Sequence, residues 1–137
     1  MKIKVIGQQF DCDNNKIDEI QLITEATIKK ENDLFIIDYT ESNENADDNI
    51  TTRLRITDKK LIMTKLSMVS STLEFEVDKK YTSVYSTVYG DFKMVISTLE
   101  YNYNLSNDGI GEILLKYVVT MANSEPYTNV LRINLYE

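Results

Sequence analysis

With 137 residues and a formal net charge of −7, the chain is long enough for a single domain over residues 1–137 whose core needs no metal or disulfide. It contains no histidine, no tryptophan and one cysteine, which excludes Ser-His-Asp and Cys-His catalysis, imidazole proton shuttles, nearly all zinc sites and any internal disulfide. The negative charge, three arginines (Arg53, Arg55, Arg132) and dispersed lysines argue against nucleic acid as a partner, because phosphate affinity needs clustered cations.

The opening "MKIKVIGQQFD" carries no apolar run long enough for a signal peptide, and no later stretch approaches a membrane span. The expectation is a cytoplasmic protein with no membrane partner, in keeping with the lone cysteine. Cys12 lies between Asp11 and Asp13, whose charge disfavours a thiolate, and reads as incidental. The stretch "DCDNNKIDE" begins like a calcium loop, but its sixth position holds Lys16 instead of glycine and its twelfth Leu22 instead of glutamate. It reads as a hairpin turn, and no metal or other cofactor is expected.

From there the dominant period is two. In "IDEIQLITEATIK" Ile20, Leu22, Ala26 and Ile28 oppose Glu19, Gln21, Glu25, Thr27 and Lys29. The stretch "TESNENADDN" reads as the longest loop, mobile and acidic, with a lid as the functional alternative. In "NITTRLRIT" Ile50, Leu54 and Ile56 oppose Thr51, Arg53 and Arg55. "TLEFEVDKK" and "YTNVLRINLYE" alternate in the same way, which is the signature of strands with one wet and one dry face. Short polar breaks, including 13–16, 31–33, 57–60, 78–80, 89–91, 106–109 and 122–126, read as hairpin turns.

The runs add up to about ten strands and no convincing helix, which predicts an all-β, antiparallel up-and-down meander. Closure into a barrel of eight to ten strands removes the exposed edges. Long strands over 17–29, 91–103 and 110–121 suit a tilted barrel better than the alternative, a sandwich.

Catalytic signals are weak. Glu19, Glu25, Glu74, Glu76, Glu100 and Glu112 fall on faces assigned to solvent, where a carboxylate makes a poor general acid. Four glycines leave little material for a phosphate-cradling loop or a nucleophile elbow. The tyrosines stand out instead. In "YTSVYSTVYG" Tyr81, Ser83, Tyr85, Thr87 and Tyr89 share one face, and the next strand sets Phe92, Met94, Ile96 and Thr98 against Lys93, Val95 and Ser97. These residues suit strands for packing alone. They also suit the wall of a cavity that mixes rings with hydroxyls.

With these stretches in view, the chain resembles the YwiB-like family of small bacterial proteins, classed as a domain of unknown function. The resemblance rests on "IDYTE" (Tyr39, Glu41), "ITTRLRIT", "VYSTVYGDFKMVIST" (Tyr85, Thr87, Tyr89, Gly90, Thr98), "GEILLKY" (Gly111, Tyr117) and "TNVLRINLYE" (Asn129), over roughly 17–137. It implies a calycin-type barrel, lipocalin-like in architecture, and no particular activity. After "KKLIM" the family pattern has an arginine and, two residues on, a glycine; here the chain reads Thr64-Lys65-Leu66, leaving Lys65 as the cation.

The leading expectation is a non-enzymatic barrel that binds a small apolar or amphipathic molecule. Its candidate lining is Tyr39, Glu41, Arg53, Lys65, Tyr85, Thr87, Tyr89, Thr98 and Tyr117, with Arg53 or Lys65 meeting an acidic group near the mouth. The alternative is an interaction module acting as a homodimer through outward tyrosines. An enzyme built on tyrosine, lysine or a carboxylate such as Glu41 ranks third.

Overall fold

The period-two alternation builds ten antiparallel strands and, among the described residues, no helix. The computed structural model describes residues 1–41, 50–66, 71–122 and 124–137, and of 85–87 the backbone only. The strands are β1 (Lys2–Phe10), β2 (Lys16–Glu31), β3 (Leu34–Glu41), β4 (Ile50–Ile56), β5 (Lys60–Leu66), β6 (Ser71–Glu76), β7 (Lys80–Thr87), β8 (Gly90–Leu105), β9 (Gly111–Met121) and β10 (Tyr127–Tyr136). The 42–49 part of the acidic stretch, named above as a loop or lid, lies outside the described residues.

The sheet order is β6-β5-β4-β3-β2-β1-β10-β9-β8-β7. Each strand pairs with its sequence neighbour except at β6/β7, and β1 also pairs with β10 along its whole length, from Lys2↔Tyr136 to Phe10↔Thr128. The result is an up-and-down sheet nearly closed into a barrel, with its seam between β6 and β7. The seam is held by a parallel bridge between Val77 and Thr98. The Tyr81 hydroxyl also donates to the Thr72 carbonyl at 3.2 Å.

Two 16-residue strands set the tilt. The first part of β2 pairs with β1 and the rest, from Ala26, with β3; β8 pairs with β7 up to Ser97 and with β9 from Met94 onward. Handing a long strand from one neighbour to the next staggers the ladder, which a closed sheet requires. At the start of β9, Gly111 has φ +149° and presses on the Asn104 backbone carbonyl so closely that any Cβ would collide with it.

The dry faces meet as expected. Ile3, Ile37, Leu54, Ile56, Leu61, Phe75, Ile96, Leu115 and Ile133 are buried together. Leu22, Ala26 and Ile28 also turn inward. Ile20 departs from the expectation at 63% exposed. It shares their parity but lies opposite Gly7, which has no side chain to cover it.

The two ends of the barrel differ. At the end bearing the β2–β3, β4–β5 and β8–β9 turns, the Tyr101 hydroxyl donates to the Thr57 carbonyl at 2.7 Å. There Lys30 reaches the Asn107 side-chain oxygen at 3.0 Å. At the opposite end, where β1 turns into β2 and β9 into β10, the described residues leave the interior open.

Candidate functional site

At the open end the dry face of several strands changes from aliphatic to polar. On β1 the inward series Ile3, Val5 continues as Gly7 and Gln9; on β10 the inward series Leu135, Ile133, Leu131 ends at Asn129. The ladder aligns these changes around the wall. Gln9 pairs with both Asp18 and Asn129, Asn129 with Tyr117, and Tyr117 with Thr98. Across the barrel Tyr39 pairs with Thr52 and Thr52 with Lys65.

These side chains surround a cavity of about 240 Å³, lined by Gln9, Asp18, Tyr39, Glu41, Lys65, Tyr117 and Asn129, with Val5, Gly7, Ile20, Met63 and Leu131 as the apolar part. Gly7 helps to make the room: a Cβ there would approach Ile20 Cγ1 to 3.1 Å. Below, the Phe75 and Tyr117 rings meet with centroids 4.6 Å apart. Beneath that contact the interior is filled by the aliphatic core.

Burial governs the acid–base character of the two phenols. It pushes Tyr39 up to about 12, with the Glu41 charge adding to the rise and Thr52 tempering it. It pushes Tyr117 to about 12 as well, tempered by Asn129. Both are therefore neutral hydroxyls at ordinary pH, able to donate as well as accept. Thr52 lies near enough to Tyr39 to affect it, yet its Oγ1 makes no hydrogen bond of acceptable geometry. Thr52 and Thr98 are both buried, with hydroxyls lacking a partner among the described residues. Buried hydroxyls are normally satisfied; these two are ladder partners of the lining residues Tyr39, Lys65 and Tyr117 but are not themselves part of the lining.

Of the residues singled out in the sequence, Tyr39, Glu41, Lys65 and Tyr117 come together here. Thr98 is buried beside them, in register with Tyr117. Tyr85 and Thr87 have side chains outside the described residues. Their strand turns the Tyr81 and Ser83 face inward, since Thr82 and Val84 are exposed.

Two assignments need correction. Arg53 stands on the outer face of β4, where its Nε and Nη2 donate to the two Asp38 carboxylate oxygens at 2.8 and 2.9 Å. Its parity is opposite to that of Thr52 and Leu54, so it cannot meet a ligand inside. Tyr89 lies in the β7–β8 turn beyond the last paired residue of β7 and is 89% exposed.

Gly7, Gln9 and Asp18 went unrecognised as site residues. Their signal was available: each breaks, at the same end of the barrel, a dry series that is otherwise apolar.

No curated protein matches the chain. Among solved structures, the fold matches the crystal structure of the ywiB protein from Bacillus subtilis with a TM-score of 0.72. That match has 12% sequence identity and covers 99% of this chain and 91% of the other. The family model described as Domain of unknown function (DUF1934) matches residues 3–133, and the chain therefore belongs to the DUF1934 family.

Proposed function

We propose that this protein is a non-enzymatic binder that takes one small, partly apolar molecule into the open end of its barrel. The observation that carries the reading is the cavity of about 240 Å³ in which Tyr39, Glu41, Lys65 and Tyr117 converge above a packed core. A few placed polar groups over an apolar floor are the usual composition of a small-molecule site. The volume lies below the roughly 300–1,000 Å³ of drug-sized pockets, which suits a small metabolite. The reading as a binder follows from residue types: the lining holds no histidine or cysteine to act as proton shuttle or nucleophile. In this reading the barrel is calycin-type and works in the cytoplasm.

Native mass spectrometry of gently purified protein tests the proposal. A mass excess of small-molecule size that disappears on denaturation is the expected result. A bare mass that no small metabolite shifts would sink the reading.

A second reading is a homodimer. It rests on the β7–β8 hairpin, where Val84, Val88 and Tyr89 are 64%, 95% and 89% exposed and Phe92 adds a ring. A clean dimer in the same spectrum, lost on Val88→Asp, would favour it.

A further inference from the structure

We infer that the ligand is a zwitterion with an apolar body, of the size and kind of an aliphatic α-amino acid, its carboxylate meeting Lys65 and its ammonium meeting Glu41 and Asp18. The inference rests on the reading of the open end as a ligand site and deepens it.

The observation behind it is the placement of charges of both signs around one cavity with no ion pair joining them among the described residues, although the half-buried Lys4 and Arg55 of the outer wall join none either. On the outer wall the half-buried Arg53 and Asp38 sit 2.8 Å apart, and Lys60 and Glu74 2.9 Å apart. Inside the mouth, Lys65 and Glu41 are also half-buried, and Asp18, itself exposed, stands at the rim of their cavity. Yet none of the three joins an ion pair among the described residues. Charges facing a partly enclosed space cost free energy until something of opposite sign meets them.

Geometry keeps the opposite signs apart. Lys65 reaches the register of Tyr39 only across β4, so its backbone is two strand spacings, about 10 Å, from β3. Glu41 lies a further two residues along β3, and Asp18 enters from β2. A cation on one wall and anions on the other, with a gap between, match a ligand carrying both signs. A simple acid would leave Glu41 and Asp18 unmet, and a simple amine would leave Lys65 unmet.

The remaining lining suits such a molecule. Ile20, Met63 and Leu131 offer an apolar rest for a side chain. The volume equals that of about eight water molecules at roughly 30 Å³ each, room for on the order of ten non-hydrogen atoms.

Calorimetric titration of the full chain with four matched probes tests this: L-leucine, 4-methylpentanoate, isopentylamine and isopentyl alcohol. Leucine is expected to bind at least tenfold more tightly than any of the other three. Lys65→Met should abolish its advantage over the amine, Glu41→Gln its advantage over the acid, and Lys65→Arg should preserve binding. Thermal unfolding of each variant confirms that it is folded.

If the acid, the amine or the alcohol binds as tightly as leucine, the zwitterion inference is overturned while the cavity stands as a binding site. If none of the four binds but native mass spectrometry shows a co-purifying molecule, the inference falls alone. If neither experiment shows a ligand, the proposed function falls with it.

Discussion

The rings of Phe75 and Tyr117, from opposite sides of the β6–β7 seam, meet with centroids 4.6 Å apart and planes inclined by 51°. The tilted contact divides the interior into a packed lower part and an open upper part. Phe75 is fully buried, so Phe75→Ala is expected to cost about 3–5 kcal/mol, combining lost transfer energy with a new void. Urea unfolding measures the loss. Phe75→Leu should cost less and deepen the cavity.

The two orphan hydroxyls predict an unusual sign. Thr52→Val and Thr98→Val keep the shape of the side chain and remove a buried polar atom that has no partner among the described residues. Each should raise stability in the unliganded protein, by about 1 kcal/mol, where most core substitutions lower it. A fall in the urea midpoint for both variants would show that an unseen partner satisfies these hydroxyls.

Alkaline titration should set the interior phenols apart. Tyr39 and Tyr117 ionise near 12 in the fold against 10.0 when unperturbed, burial being the main cause in both. Tyr101 is raised as well, by burial first. The unfolded chain gives up these protons earlier, so the contribution to stability is whole below pH 10 and is lost as pH rises towards 12. Absorbance near 295 nm should show exposed tyrosines titrating first, with the buried ones following only as the fold opens.

At the closed end, Tyr101 ties β8 to the β4–β5 turn through its 2.7 Å bond to the Thr57 carbonyl. Tyr101→Phe removes the bond and keeps the ring. It should lower stability by about 1 kcal/mol without changing ligand affinity, because Tyr101 lies away from the mouth. A change in affinity would mean that the two ends are coupled.

Strand number and meander topology were legible because period-two alternation is a local property of sequence, and closure followed from the need to hide edges. Tyr39, Glu41, Lys65 and Tyr117 were legible as candidates. What brings them to one cavity is the stagger of the ladder, which depends on how far β2 and β8 run past each neighbour. Arg53 was misplaced although its parity with Arg55 already marked it as wet. For Cys12, sequence pointed to Asp11 and Asp13 as the groups opposing its ionisation. The fold instead brings up Glu125, whose hydrogen bond from Cys12 at 3.3 Å is the leading cause. A neighbour 113 positions away leaves no local trace.

The pairing of β1 with β10 has a consequence for how the protein is made. During synthesis β1 can satisfy one edge on β2 at once, but its other edge waits for β10. Closing that ladder brings together residues separated by nearly the whole chain, the most expensive kind of contact to form. During synthesis, β1 and β9 therefore both present raw edges, and a chain interrupted before β10 is open in the middle of its sheet instead of merely frayed at one end. The seam between β6 and β7, by contrast, lies between consecutive strands, and its bridge from Val77 to Thr98 can form once β8 has emerged.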